Sequence, residues 1–114
     1  MTLRTALPWP KYEGQGPRNR YYDDVLAGVR ALPRVRSAAF TSGVPIAMQG
    51  GIWAVTTRGE ESVRDFSNTA SLRYTTPQYF STLGIPIKQG RDVDVTDTPD
   101  RPIAAVVSES FAKK

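Results

Sequence analysis

Four aspartates, which carry the oxygen ligands that calcium prefers, lie close together in the segment RDVDVTDTPD: Asp92, Asp94, Asp97 and Asp100. An EF-hand calcium loop would need a glycine at its sixth position and a glutamate at its twelfth. Counted from Asp92, those positions hold Asp97 and Ile103. Because the spacing does not fit, we predict a solvated loop whose aspartates cap turns.

The residue types on which most enzyme chemistry depends are missing. The chain has no histidine and no cysteine, which excludes histidine-based triads, thiolate nucleophiles, disulfides and zinc–thiolate sites. The adjacent acids Asp23–Asp24 and Glu60–Glu61 diverge on a helix or a strand, so neither pair forms a facing dyad. The glycines of EGQG and MQGG start no phosphate-binding pattern. We therefore expect no catalytic residues, no cofactor and no metal.

Charge and aromatic residues do not indicate a nucleic-acid partner. The chain has 15 Lys and Arg against 11 Asp and Glu, but the basic residues are scattered from Arg4 to Lys114. A nucleic-acid footprint needs positive charge clustered on one face. Packing in the core and at its edges is predicted for the aromatic residues that could stack on bases or sugars: Trp9, Tyr12, Tyr21, Tyr22 and Trp53.

The pattern of elements predicts one domain, residues 1–114, of mixed α and β structure. An apolar stripe from Tyr22 to Leu32 predicts an amphipathic helix that begins near Asn19 and is ended by Pro33. Extended segments are predicted at 2–7, 35–42, 52–58, 69–75, 85–88 and 103–107. Residues 58–68 are predicted to be a mobile loop or a hairpin tip. Ser108 caps a final helix that stops early, so we expect truncation at the C-terminus.

This order of elements predicts an α+β fold. Its closest architecture is a ferredoxin-like (split βαβ) sandwich, with an antiparallel or mixed sheet and helices on one face.

The stretch YTTPQYFSTLGIPIKQGRDV, residues 74–93, has a local reason for most of its residues. Thr76 suits a helix N-cap, Pro77 the first helical position and Gly84 the left-handed residue that ends a helix. A short helix is therefore predicted at 77–83. Gly90 is then predicted to turn the chain toward Arg91.

Three blocks of sequence, in their order along the chain, resemble the extracytoplasmic core domain of MacB-like and FtsX-like ABC transporter permeases. They are RALPRVRSAAFTSGVPI (30–46), TTPQYFSTLGIPIKQGRDV (75–93) and PIAAVVSESFAKK (102–114). The resemblance is closest to the permease group common in acidobacteria. Two positions depart from the family pattern: Arg34 stands where glycine is usual, and Ser108 stands where asparagine is frequent.

The resemblance implies a set of scaffold residues that shape a rigid helix and turn through which motion or partner contact is transmitted. This scaffold signature comprises Pro33, Val35, Pro45, Pro77, Tyr79, Phe80, Gly84, Pro86, Gly90 and Arg91.

The function implied by the resemblance is that of a non-catalytic domain outside the cytoplasmic membrane, between the first two transmembrane helices of an export or mechanotransmission permease. Its partners would be those helices, a cytoplasmic ATPase, and a periplasmic protein or exported substrate, in a homodimeric parent. No apolar run approaches the ~20 residues of a membrane span, so the anchor would lie outside this segment. The alternatives are a soluble peptide- or ligand-binding module, based on the aromatic residues and the GVPIAM loop, and a carboxylate-based hydrolase, based on the aspartate cluster.

Overall fold

The computed structural model describes residues 1–46, 51–56 and 69–113. Its elements are α1 (Gln15–Arg30), β1 (Gly51–Ala54), β2 (Thr69–Leu72), α2 (Tyr79–Leu83) and α3 (Glu109–Ala112). The chain is therefore α+β, with three helices and a two-stranded antiparallel sheet in the described ranges. It divides into a first unit, Met1–Ala38, and a second unit, Ala39–Lys114.

The first unit contains α1. The predicted apolar stripe is present as far as Val29, and its Leu26 is 7% exposed, whereas Leu32 lies beyond the helix and is 55% exposed. The predicted start near Asn19 is wrong: the helix begins at Gln15, after Gly14, whose positive φ of 86° redirects the chain. The helix ends before Pro33, as predicted. The Arg30 guanidinium then donates hydrogen bonds of 2.7 and 3.1 Å to the Ala38 carbonyl, which fixes the chain that follows the helix.

The segment before α1 is not the predicted strand. Residues 2–7 pair with no other strand in the described part of the chain. A side-chain hydrogen bond connects this segment to α1 instead, because the hydroxyls of Thr5 and Tyr21 lie 2.8 Å apart. Tyr21 also makes edge-to-face ring contacts with Tyr12 and Tyr22, at centroid distances of 5.4 and 5.6 Å. Tyr12, Tyr21 and Tyr22 are half-buried, in agreement with the predicted packing, whereas the same prediction is wrong for Trp9 and Trp53, which are 70% and 56% exposed.

The second unit contains the sheet. Strands β1 and β2 pair antiparallel, with Gly51 opposite Leu72 and Ala54 opposite Thr69. Beyond β2, Thr75 forms a single antiparallel bridge with Thr41, which is the one paired residue of the predicted strand 35–42. The predicted strands at 85–88 and 103–107 belong to no ladder among the described residues. The predicted loop at 58–68 lies outside the described residues.

Candidate functional site

The first and second of the three sequence blocks are joined through Phe40 and Thr76. The Phe40 amide donates to Thr76 Oγ1 at 2.8 Å, and the Thr76 amide donates to the Phe40 carbonyl at 3.0 Å. Two further bonds continue the contact: the Ser42 amide donates to the Tyr74 carbonyl at 2.9 Å, and the Tyr74 amide donates to Ser42 Oγ at 3.0 Å. We call these four residues the Phe40–Thr76 clamp.

The clamp changes how α2 begins. The Thr76 hydroxyl accepts the Phe40 amide and the N-cap of α2 is Gln78, so the predicted cap at Thr76 and the predicted start at Pro77 are wrong. The Tyr79 amide donates to the Thr76 carbonyl at 3.3 Å, which closes a turn with Pro77 second and Gln78 third. Gln78 has a φ of 72° and makes no side-chain cap. Pro77 therefore presets the turn that precedes the helix, because its fixed φ suits this position as well as a first helical position.

The end of α2 agrees with the prediction. Gly84 adopts the left-handed conformation, with φ 70° and ψ 24°. The Ile85 amide donates to the Phe80 carbonyl at 2.8 Å and the Gly84 amide to the Ser81 carbonyl at 3.1 Å, the two bonds of a Schellman motif. Tyr79, 6% exposed, meets the Phe80 ring edge-to-face at 5.2 Å. This short helix is thus fixed at both ends and on one face.

Prolines of the scaffold signature precede residues in an uncommon backbone conformation. Among the described residues, every non-glycine with a positive φ directly follows one of these prolines: Arg34 after Pro33, Ile46 after Pro45 and Gln78 after Pro77. The Val35 amide donates to the Leu32 carbonyl at 3.2 Å and closes the first of these turns. A proline followed by a residue of positive φ is the pattern of a type II turn, whose third position favours glycine.

Arg91 and Asp97 form a bidentate ion pair after Gly90, whose φ of 76° turns the chain as predicted. The two guanidinium–carboxylate distances are 2.6 and 2.8 Å. The Arg91 side chain is 61% exposed and that of Asp97 is 17% exposed. The hydrogen bonds from Arg91, followed by the Asp94 amide, lower the pKa of Asp97 from 3.8 to about 2. The same Asp97 hydrogen bond raises the pKa of Arg91.

The other aspartates of this segment also accept hydrogen bonds from groups of the same loop. Asp92 Oδ1 accepts the Val93 amide at 2.7 Å, and Asp94 Oδ1 accepts the Thr96 amide at 2.9 Å. A hydrogen bond from the Thr98 side chain lowers the pKa of Asp100. The prediction that these carboxylates cap turns is confirmed, and the arrangement stiffens a loop rather than gathering the carboxylates around a common point.

The third block is tied to the second. Ser108 Oγ accepts the Phe111 amide at 3.2 Å, so the predicted cap of α3 is confirmed. Glu109 pairs with Lys88 at 2.5 Å and with Lys113 at 2.7 Å. The hydrogen bonds from Lys113 and Lys88 lower the pKa of Glu109. No sequence signal marked Glu109, Asp97 or Phe40 as partners of these residues.

The scaffold signature is distributed over both units. Pro33 and Val35 lie in the first unit, and the other eight residues lie in the second. Tyr79 is buried, Phe80 is half-buried, and Pro45 and Pro86 are exposed. The structure therefore brings Pro77, Tyr79, Phe80 and Gly84 together around α2. Arg91 instead forms its ion pair with Asp97 in the loop after Gly90.

No helix in the described ranges is both long enough and apolar enough to cross a membrane. A search of curated proteins and a search of solved structures return no match to the chain. A protein-family comparison matches residues 3–114 to the family described as MacB-like periplasmic core domain. The match implies a periplasmic domain of an ABC transporter permease. Since it spans nearly the whole chain, the chain belongs to the MacB-like periplasmic core domain family.

Proposed function

We propose that this domain transmits ATP-driven motion of its permease outside the membrane and contacts a substrate or partner protein there, without catalysing a reaction itself. The observation that carries the proposal is the Phe40–Thr76 clamp, because it joins residues of two sequence blocks that lie 36 positions apart in the chain. Residues joined by long-range contacts of this kind can move together when force reaches one of them.

The network of bonds continues from the clamp to the end of the second unit. The clamp leads into α2, α2 ends in the Schellman motif at Gly84, and Lys88 then pairs with Glu109 of α3. The Arg91–Asp97 pair closes the intervening loop. Backbone groups hold most of this network, so it resists bending better than exposed ion pairs alone would.

The sheet provides an apolar surface for partner contact. Trp53 of β1 and Leu72 of β2 lie on one face of the sheet and are 56% and 42% exposed, and Ile52, on the opposite face, is 76% exposed. Adjoining exposed apolar residues mark contact surfaces, and tryptophan is enriched in them. We propose that this surface meets a periplasmic partner, the exported substrate or the second subunit of a homodimeric permease.

We also propose that the complete domain has a ferredoxin-like architecture and that its permease belongs to the group common in acidobacteria. The order α1, β1, β2, α2, which is the middle of a βαββαβ chain, supports the first proposal. The three sequence blocks support the second. The hydrolase alternative gains no support, because the aspartates accept hydrogen bonds from their own loop. The GVPIAM loop gains none either, because residues 47–50 lie outside the described residues.

Labelling of a single cysteine tests the location. The chain has no cysteine, so Gln89→Cys in the full-length permease introduces one thiol on an exposed residue of this segment. A maleimide that cannot cross the cytoplasmic membrane should label this thiol once an outer membrane, if present, has been made permeable. Labelling that requires lysis of the cytoplasmic membrane would contradict the proposal.

A further inference from the structure

A cavity of about 190 Å³ opens in the first unit. Its wall consists of apolar and aromatic residues together with one cation: Leu7, Pro8, Trp9, Tyr12, Tyr22 and Arg18. None of them belongs to the scaffold signature or to the network of the second unit. A volume of ~150 Å³ is enough to enclose a benzene molecule, so one aromatic or branched aliphatic group fits here.

Arg18 is oriented so that it can receive an anion. Its Nε donates to the Tyr12 carbonyl at 2.9 Å, which fixes the guanidinium and leaves its two terminal amino groups for another partner. Arg18 takes part in none of the ion pairs found among the described residues. The first turn of α1 also contains no acidic residue. Two parallel N–H donors match the geometry of a carboxylate.

The charge of the first unit favours an anionic ligand as well. Residues 1–38 contain seven Lys and Arg against three Asp and Glu, so the whole net charge of +4 lies in this unit. The remaining 76 residues have eight of each sign. Such an imbalance attracts anions over distances of about a Debye length.

We propose that this cavity binds an apolar organic carboxylate, with an aromatic or branched side chain between Trp9 and the tyrosines and the carboxylate on Arg18. Two kinds of ligand carry such a group: a free small acid and the C-terminal residue of a peptide. The proposal does not depend on the transmission of motion, because the cavity and the clamp lie in different units.

Fluorescence of Trp9 provides the test. The chain has two tryptophans, so Trp53→Phe makes Trp9 the single emitter. We would titrate this variant with N-acetyl-phenylalanine, with its amide, and with an N-acetylated tetrapeptide that ends in phenylalanine. A saturable change is expected with the acid, and about tenfold weaker binding with the amide, which cannot form the charged pair. Tighter binding of the peptide than of the free acid would identify a chain terminus as the source, and equal binding would identify a small acid.

Matched variants assign the carboxylate to Arg18. In the Trp53→Phe background, Arg18→Gln should weaken binding of the acid about tenfold, whereas Arg20→Gln, on the same helix but outside the cavity wall, should change it less than about twofold. Equal binding of acid and amide to the unaltered cavity would overturn the proposal whether or not Arg18→Gln folds. It would also be overturned if Arg20→Gln had as large an effect, or if no saturable change occurred up to ~10 mM ligand.

Discussion

Phe40 and Thr76 exchange three hydrogen bonds: the Phe40 amide donates to the threonine hydroxyl at 2.8 Å, the Thr76 amide donates to the Phe40 carbonyl at 3.0 Å, and the hydroxyl donates to the same carbonyl at 3.5 Å. The hydroxyl accepts the Phe40 amide, and the N-cap of α2 is Gln78, so the helix begins at Tyr79 after a proline turn. A single side chain thus joins the first and second sequence blocks just before α2.

Replacement of Thr76 by valine should destabilise the chain by about 1–2 kcal/mol, because it removes the acceptor of a half-buried amide at nearly unchanged volume. Urea denaturation measures the difference in the free energy of unfolding. Thr76→Ser keeps the hydroxyl and should stay within about 0.5 kcal/mol of the unaltered chain. Equal stability of the valine and serine variants would show that the hydroxyl bond has no stabilising role.

Arg34 occupies a turn position that favours glycine, with a φ of 75°. A left-handed residue with a Cβ costs about 1–2 kcal/mol, while glycine adds about 0.5–1 kcal/mol of chain entropy to be lost on folding. Arg34→Gly should therefore stabilise the chain by about 0.5–1 kcal/mol in urea denaturation. Arg34→Ala retains the Cβ and should give no such gain. A gain of the same size with alanine would point to the arginine side chain rather than to the backbone.

Replacement of a glycine by alanine should change the stability of the chain in opposite directions at Gly84 and Gly28. Gly84 has a φ of 70° and Gly28 lies within α1, and an added Cβ meets no atom within 4 Å at either position. Backbone conformation alone should then decide the result. We expect Gly84→Ala to destabilise by about 1 kcal/mol and Gly28→Ala to stabilise by about 0.5–1 kcal/mol. Thermal unfolding of both variants measures the two signs, and the same sign for both would be inconsistent with this account.

The Arg91–Asp97 pair should make the free energy of unfolding depend on pH in the acid range. The pKa of Asp97 is about 2 in the folded chain, below its ordinary 3.8. Its stabilising contribution is therefore present above pH 3.8 and is lost as the pH falls toward 2. The difference in urea midpoint between the unaltered chain and Asp97→Asn should be larger at about pH 6 than near pH 2. Arg91→Gln should show the same pH dependence, and a difference independent of pH in both variants would contradict the assignment.

Local sequence patterns predicted the features that depend on neighbouring residues. The apolar stripe predicted most of α1, Gly84 predicted the end of α2, and Ser108 predicted the cap of α3. Each of these depends on residues within one or two helical turns, so the information is local.

Features that depend on distant partners were not predicted. Thr76 has the sequence context of a cap, but its partner lies 36 positions away. Residues 2–7 and 103–107 have strand-like composition, yet a strand needs a neighbour to pair with, and composition does not provide one. The positive charge around the cavity was missed because the net charge was taken over the whole chain, whereas a separate count for each of the two units shows the excess in the first 38 residues.

Transmission of ATP-driven motion is most directly tested by a distance between the two domains of an intact homodimeric permease. In the homodimeric arrangement proposed above, and with any cysteine elsewhere in the permease replaced, a nitroxide on Gln89→Cys places one spin label on each subunit, because this domain has no other thiol. Pulsed electron paramagnetic resonance would then measure the distance between the labels without nucleotide and with a trapped ATP state. We predict a shift of the main distance by several ångströms between the two states, and a weaker shift with Thr76→Val. An identical distance in both states would contradict the proposed function.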